Sequence, residues 1–165
     1  LLGWLARLAG ADLLVGSDPH PLRRRLALEH GFDAVVDPSA EHLPGAVHAV
    51  SPRGADAVFV VPTSPAAVLP AVEAAAPAGR VVFFSPVAPG ETWPIAPNVP
   101  YFKDLTLRFS YSSGPLETRR ALDLIASGAL PVERLVTHRL PLERTAEAFA
   151  RAESGGATLK VVVEI

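Results

Sequence analysis

The most informative charged residues lie where an apolar segment gives way to polar sequence. The run ADLLVGSD ends at Asp18, and Arg23 begins a group of three consecutive arginines a few positions later. A carboxylate at the tip of a strand can accept hydrogen bonds from the hydroxyls of a ribose, and an arginine beside it can support a phosphate. Asp18 could instead cap the turn in front of a proline, and Arg24 and Arg25 are typical of a solvated helix face.

Two further strand ends offer candidate binding groups. Val61 and Thr63 follow one apolar run, and Ser85 and Val87 follow the next. In doubly wound sheets, ligands bind at the carboxyl ends of the parallel strands, so these residues could line the nicotinamide end of a dinucleotide through backbone groups. Ordinary strand-to-loop turns are the alternative. The charge around Asp18 predicts NAD, with NADP as the second possibility, because the carboxylate repels a 2′-phosphate that the arginines attract.

Other kinds of site are not indicated. The chain has no Cys, and its five histidines form no HxxxH or HExxH pair, so no metal ligand is predicted within it. No Gly-x-Ser-x-Gly motif occurs, and no catalytic residue is predicted. A formal charge of −2 gives no broad attraction for nucleic acid. No apolar run approaches the ~20 residues of a membrane span, so we expect a cytoplasmic protein.

The apolar pattern predicts strands that alternate with helices. Strands are expected at 11–18, 33–38, 57–61, 80–84 and 105–111 and in the segments LVTHRL and LKVVVEI; helices are expected at 1–8, 23–30, 41–50, 64–76, 115–127 and 143–153. Continuously apolar strands favour a parallel sheet covered on both faces, so the predicted fold class is α/β, a Rossmann-type doubly wound sheet. The Gly-x-Gly-x-x-Gly turn after the first strand of such folds does not occur, and the sheet is expected to lack that strand.

The order and spacing of six segments resemble one known family. They are ADLLVGSD, ALEHGFDAVVDP, GADAVFVV, AAAPAGRVVFFSP, YFKDLTLRFSYSS and the C-terminal LVTHRLPLERTAEAFARAESGGATLKVVVEI. Together they resemble the zinc-dependent medium-chain alcohol dehydrogenases, especially the sorbitol and threonine dehydrogenase branch. The resemblance implies that Asp18 binds the adenosine ribose beside Arg23 and that Phe109 and Ser110 approach the nicotinamide. Ser110 stands where the sorbitol dehydrogenase branch commonly has an arginine.

The resemblance also implies a domain organisation and an activity. Residues 1–134 would form a truncated dinucleotide-binding domain, and residues 135–165 a strand-helix-strand that belongs to the catalytic domain. The intact protein would transfer a hydride between a nicotinamide and the carbon of an alcohol or polyol, with zinc bound only in a missing N-terminal domain. The fragment alone is expected to be inactive, and strand pairing at 105–111 would give a homo-oligomer, a dimer or tetramer. A non-catalytic nucleotide-binding or oligomerisation module and a zinc-free quinone reductase remain alternatives.

Overall fold

The computed structural model describes residues 1–62, 64–93, 95–154 and 158–165. Helices and strands follow one another in the order α1 (Leu2–Leu8), β1 (Val15–Ser17), α2 (Pro21–Glu29), β2 (Ala34–Val36), α3 (Leu43–Val50), β3 (Ala55–Val60), α4 (Pro65–Ala74), β4 (Ala75–Phe83), α5 (Asn98–Phe102), β5 (Thr106–Phe109), α6 (Pro115–Ala126), β6 (Val136–Pro141), α7 (Thr145–Ser154) and β7 (Lys160–Glu164). Two 3₁₀ turns, Val132–Leu135 and Leu142–Arg144, flank β6. The predicted alternation of strands and helices is confirmed.

The chain divides into two compact units. The first unit contains residues 1–35 and 114–165, and the second unit contains residues 36–113. The division into residues 1–134 and 135–165 describes the organisation of an intact enzyme and stays a prediction.

The second unit is built on a three-stranded parallel sheet. Its strand order is β3-β4-β5, and Val60, Phe83 and Phe109 stand in register across it. Helix α4 covers one face, where Val68 and Val72 pack with Val81 and Phe83 in the buried core. The parallel α/β class expected from the sequence is therefore confirmed, and the carboxyl ends of three strands meet at one edge.

The junction between α4 and β4 has no connecting loop. Helix α4 ends at Ala74 and β4 begins at Ala75, five residues before the strand expected from the sequence. Lys103 ties this junction to the start of β5, because its Nζ donates to the carbonyls of Glu73 at 2.6 Å and Ala75 at 2.8 Å. Gly54 also touches it with a φ of +92°, where an added Cβ would stand 2.7 Å from the carbonyl oxygen of Ala74.

In the first unit, the side chain of Asp33 connects α1 to the segment that precedes β1. The Asp33 carboxylate accepts hydrogen bonds from the backbone N–H of Leu14 at 2.6 Å and from Arg7 at 2.5 Å. These two donors, the Leu14 N–H above all, hold the pKa of the Asp33 carboxyl below its ordinary value. Gly3 packs against the ring of Phe32. The close approach of α1 to the connection between α2 and β2 therefore depends on Gly3, which has no side chain.

The C-terminal part of the first unit forms a parallel pair of strands. Strand β6 runs beside β7 with Leu140 opposite Val163, and α7 packs on both. Arg139 of β6 bridges Glu133 and Glu164, and these two hydrogen bonds, the one to Glu164 first, raise the pKa of the guanidinium above its ordinary value. Among the described residues, no helix is both long enough and apolar enough to cross a bilayer.

Candidate functional site

Asp18 lies directly after the carboxyl end of β1, where the sequence placed it. One carboxylate oxygen, Oδ1, accepts a hydrogen bond from the backbone N–H of His20 at 2.7 Å, which is the turn cap considered as an alternative role. The other oxygen, Oδ2, stands 3.8 Å from a guanidinium nitrogen of Arg23. The Asp18 side chain keeps 31% of its surface exposed, so capping the turn leaves the carboxylate accessible.

The first turn of α2 brings two arginines to this aspartate in different ways. Arg23 faces the carboxylate, as the sequence suggested. The expectation of a solvated side chain is wrong for Arg24, whose Nη1 donates to the backbone carbonyls of Asp18 at 2.9 Å and Pro19 at 2.8 Å. Arg25 does lie on the exposed face, 3.7 Å from Glu29 one helical turn later. The tip of β1 thus carries one carboxylate and two guanidinium groups.

His20 is a member of this site that the sequence reasoning missed. It is the N-cap residue of α2, between Pro19 and Pro21, and its backbone N–H orients the Asp18 carboxylate. Its ring atom Nδ1 is buried, and no residue that the structure describes forms a hydrogen bond with it. The available signal was the Asp-Pro-His-Pro sequence, because an aspartate side chain often accepts from the backbone two residues later.

A second group of candidate residues follows the carboxyl ends of β3, β4 and β5. Hydrogen bonding continues one residue past the register, since Phe84 N–H donates to the Val60 carbonyl at 2.9 Å and Ser110 N–H donates to the Phe83 carbonyl at 2.9 Å. The predicted residues Val61, Ser85 and Ser110 therefore share one edge of the sheet. Val61 and Ser110 are exposed, whereas Ser85 and Val87 are partly buried. Thr63 lies outside the described residues.

Three aromatic rings pack together at this edge. The ring centroid of Phe109 lies 5.1 Å from that of Phe83 and 6.0 Å from that of Trp93, and Phe83 and Trp93 are 4.6 Å apart. We call these three residues the aromatic edge cluster. The proline-rich segment around Trp93 packs against the protein, because Trp93 lies on the core of the second unit. Its partners, separated from it along the chain, were not foreseen.

The side chains that could bind a metal are dispersed. Within the described ranges, no group of three or more His, Asp or Glu side chains is placed to hold a metal ion. Two histidines have structural contacts in α3, where His42 Nδ1 accepts from the N–H of Gly45 at 3.3 Å and His48 Nδ1 lies 2.6 Å from the Pro44 carbonyl. These residues do not fit a zinc centre, and we assign no zinc ligand to them.

A doubly wound α/β fold with an acidic residue at the tip of a strand is typical of dinucleotide-binding domains. The family model described as zinc-binding dehydrogenase matches residues 1–127. The chain belongs to this family. The resemblance stated from the sequence is therefore confirmed.

Individual relatives agree with the family. A geraniol dehydrogenase from Castellaniella defragrans is 33% identical over 99% of this chain and 44% of its own length. An L-threonine 3-dehydrogenase from Saccharopolyspora erythraea is 28% identical over 92% of the chain and 44% of its own length. A solved structure of a zinc-binding dehydrogenase from Sinorhizobium meliloti 1021, bound to NADP, is 32% identical with a TM-score of 0.88, covering 98% of this chain and 48% of that one. The chain thus spans less than half the length of these relatives.

Proposed function

We propose that this chain is the dinucleotide-binding part of a zinc-type alcohol dehydrogenase. In the proposed reaction a hydride passes between a nicotinamide cofactor and the carbon of an alcohol or polyol. Family membership supports this role for the whole protein. The observation that carries it for this chain is the partly exposed Asp18 carboxylate, which the His20 N–H orients at the carboxyl end of β1.

The residues at the tip of β1 fit an adenosine ribose. Asp18 Oδ2 is the oxygen that does not accept the His20 N–H, and a ribose hydroxyl could donate to it. A guanidinium nitrogen of Arg23 lies 3.8 Å from that oxygen in a partly exposed pair, and Arg23 would support a phosphate of the cofactor. When bound, the nicotinamide supplies the group that accepts or donates the hydride. The predicted residues that follow β3, β4 and β5 would orient the nicotinamide: Val61, Thr63, Ser85, Val87, Phe109 and Ser110.

The choice between NAD and NADP depends on the balance of charge at Asp18. The carboxylate favours an unmodified ribose, and Arg23 and Arg24 favour a 2′-phosphate. The Sinorhizobium relative bound to NADP supports the second cofactor as a real possibility. We therefore propose that the protein binds both, with NAD preferred because the Asp18 carboxylate repels a 2′-phosphate.

A titration of the purified protein with NADH and NADPH tests this proposal. Nicotinamide fluorescence should report saturable binding, and Asp18→Ala should weaken NADH by about tenfold, the loss of one charge-assisted hydrogen bond. Asp37→Ala is the matched control, because Asp37 Oδ1 also accepts a backbone N–H two residues later, from Ser39 at 2.9 Å, but after β2. Equal losses in the two variants would mean that only the turns matter and would contradict the ribose role.

The asparagine variant tests the cofactor preference separately. Asp18→Asn keeps an oxygen for the His20 N–H but removes the charge, so NADPH should gain and NADH should lose affinity. A change of about 2 kcal/mol in their difference corresponds to about thirtyfold in the ratio of dissociation constants. An unchanged ratio would show that the carboxylate does not face the 2′ position.

Two alternative functions can be separated from the dehydrogenase by experiment: a nucleotide-binding module without catalysis and a zinc-free quinone reductase. No metal-binding group of three side chains occurs among the residues that the structure describes. We propose that zinc, where it takes part, is bound by residues outside this chain. Reduction of NAD by an alcohol that a chelator inhibits would support the dehydrogenase. Nucleotide binding without any reduction of NAD would support the module. Oxidation of NADPH by a quinone that a chelator does not inhibit would support a zinc-free quinone reductase.

Self-association is a separate part of the proposal. Within the described residues, β5 pairs with β4 on one side alone, and Tyr101 and Phe102 of the preceding helix are 78% and 83% exposed. A free strand edge beside exposed aromatic rings supports a homo-oligomer formed by pairing of β5. Light scattering during size-exclusion chromatography should give a mass of two or four chains. The cytoplasmic location remains a prediction.

A further inference from the structure

The carboxyl edge of the second unit is unusually apolar for a site that would receive a polyol. Phe109, at the end of β5, keeps 69% of its surface exposed although it packs on Phe83 and Trp93. Phe84 and Tyr111, which follow β4 and β5, are 48% and 92% exposed. Large aromatic side chains left open to water at a strand end indicate a surface that a ligand covers.

The first seven residues after each of the three strand ends carry no charged side chain. After β3 the first charged residue is Glu73, after β4 it is Glu91, and after β5 it is Glu117. The hydroxyl groups of the short segment 110–113 are the main polar side chains there. A carboxylate or ammonium group on a substrate would lose its hydration at this edge without meeting an opposite charge, which costs binding free energy.

The arginine next to Phe109 in β5 does not place a charge on this apolar surface. Arg108 precedes Phe109 in β5 and stands opposite Val82, whereas Phe109 stands opposite the buried Phe83. Successive side chains in a strand point to opposite faces, so the Arg108 guanidinium leaves on the other face of the sheet. Phe109 therefore presents an aromatic surface without a charged neighbour on its own face of the strand.

We propose that the aromatic edge cluster binds the hydrocarbon part of an uncharged, apolar alcohol. Phe109 supplies the contact surface, and Trp93 and Phe83 pack against its ring. The substrate class is thereby an aliphatic or aromatic alcohol, and polyols and amino acids are disfavoured. This inference rests on the proposed dehydrogenase function, because it assigns the substrate of that same site.

The test follows the emission of Trp93 in the full chain carrying Trp4→Phe, which leaves Trp93 as the sole tryptophan. With NAD present, cyclohexanol should change the emission saturably, and sorbitol and L-threonine at equal concentrations should not. Phe109→Ala should weaken cyclohexanol binding by about tenfold, and Phe109→Leu should restore part of it. Phe149→Ala is the matched control, because Phe149 is 66% exposed on α7 in the other unit.

The possible outcomes separate this inference from the proposed function. Saturable NADH binding without any cyclohexanol response, or equal responses to sorbitol and L-threonine, would overturn the inference alone. Loss of NADH binding with the cyclohexanol response kept would overturn the proposed function and leave the apolar site. If Phe109→Ala changes the mass measured by light scattering and leaves cyclohexanol binding unaltered, a second copy of the chain covers this edge and the inference is wrong.

Discussion

Replacing Lys103 by methionine tests how the second unit holds its strands in place. The Lys103 ammonium donates to the carbonyls of Glu73 and Ala75 at 2.6 and 2.8 Å, at the point where α4 ends and β4 begins. The carbonyls at a helix C-terminus lack intrahelical donors and carry partial negative charge, so a cation there stabilises the helix end. Methionine keeps the length of the aliphatic stem and removes only the charge and the donors.

The size of the effect follows from these two bonds. Each hydrogen bond from a charged donor contributes about 1.5–3 kcal/mol, but both come from one ammonium group that is only partly buried. We therefore expect Lys103→Met to lower the free energy of unfolding by about 2–3 kcal/mol. With a urea dependence of about 2 kcal/mol per M, the midpoint should fall by about 1 M.

The assay is urea unfolding followed by Trp93 emission in the Trp4→Phe background, so that the signal comes from the second unit. Lys160→Met is the control, because Lys160 is the only other lysine in the chain and is exposed in β7. Equal midpoints for the two lysine variants would refute the reasoning. A change in the slope instead of the midpoint would mean that Lys103 acts on the unfolded chain.

Two further predictions concern the backbone at Gly54 and the carboxylate of Asp33. Gly54→Ala should destabilise the protein by more than about 2 kcal/mol, because the added Cβ clashes with the Ala74 carbonyl and the φ is unfavourable. Gly31→Ala is the control, because Gly31 has a φ of +93° in open space and should show the backbone cost alone. Equal thermal midpoints for the two variants would contradict the clash. Asp33 has a lowered pKa in the folded state, so its contribution to stability is complete above the ordinary carboxyl pKa and disappears as the pH falls through the lowered one. Asp33→Asn should therefore flatten the acid side of the stability profile below about pH 4, and an acid limb parallel to that of the unchanged protein would contradict this.

Much of the fold could be predicted because local patterns agree with the tertiary structure. Helix α6 was expected at 115–127 and runs over Pro115–Ala126, since a proline in the first turn and Gly128 after the last mark its ends. Helix α5, which begins at Asn98, is not among the helices expected from the sequence. The start of β4 at Ala75 could not be predicted from local sequence, because the contacts that Ala75 makes there come from Gly54 and Lys103, which are distant along the chain.

In the candidate site, too, the residues with a local sequence signature could be predicted and the contacts between distant residues could not. Asp18 could be predicted because a strand followed by Asp-Pro has a local signature. The position of Arg24 could not, because its guanidinium turns back to carbonyls at the start of its own helix instead of following the solvated face. The aromatic edge cluster joins residues 83, 93 and 109, whose contacts arise only when β4 and β5 pair and the connection between them folds back.

The two prolines around His20 have a consequence for how the tip of β1 would meet a ligand. Pro19 and Pro21 each fix one backbone dihedral, and the His20 N–H already holds one oxygen of the Asp18 carboxylate. The turn therefore has little conformational entropy left to lose, and the ordering of this segment is completed when the chain folds. In calorimetry, the association of a ribose here would show a small entropic penalty, because the receptor is rigid before the sugar arrives.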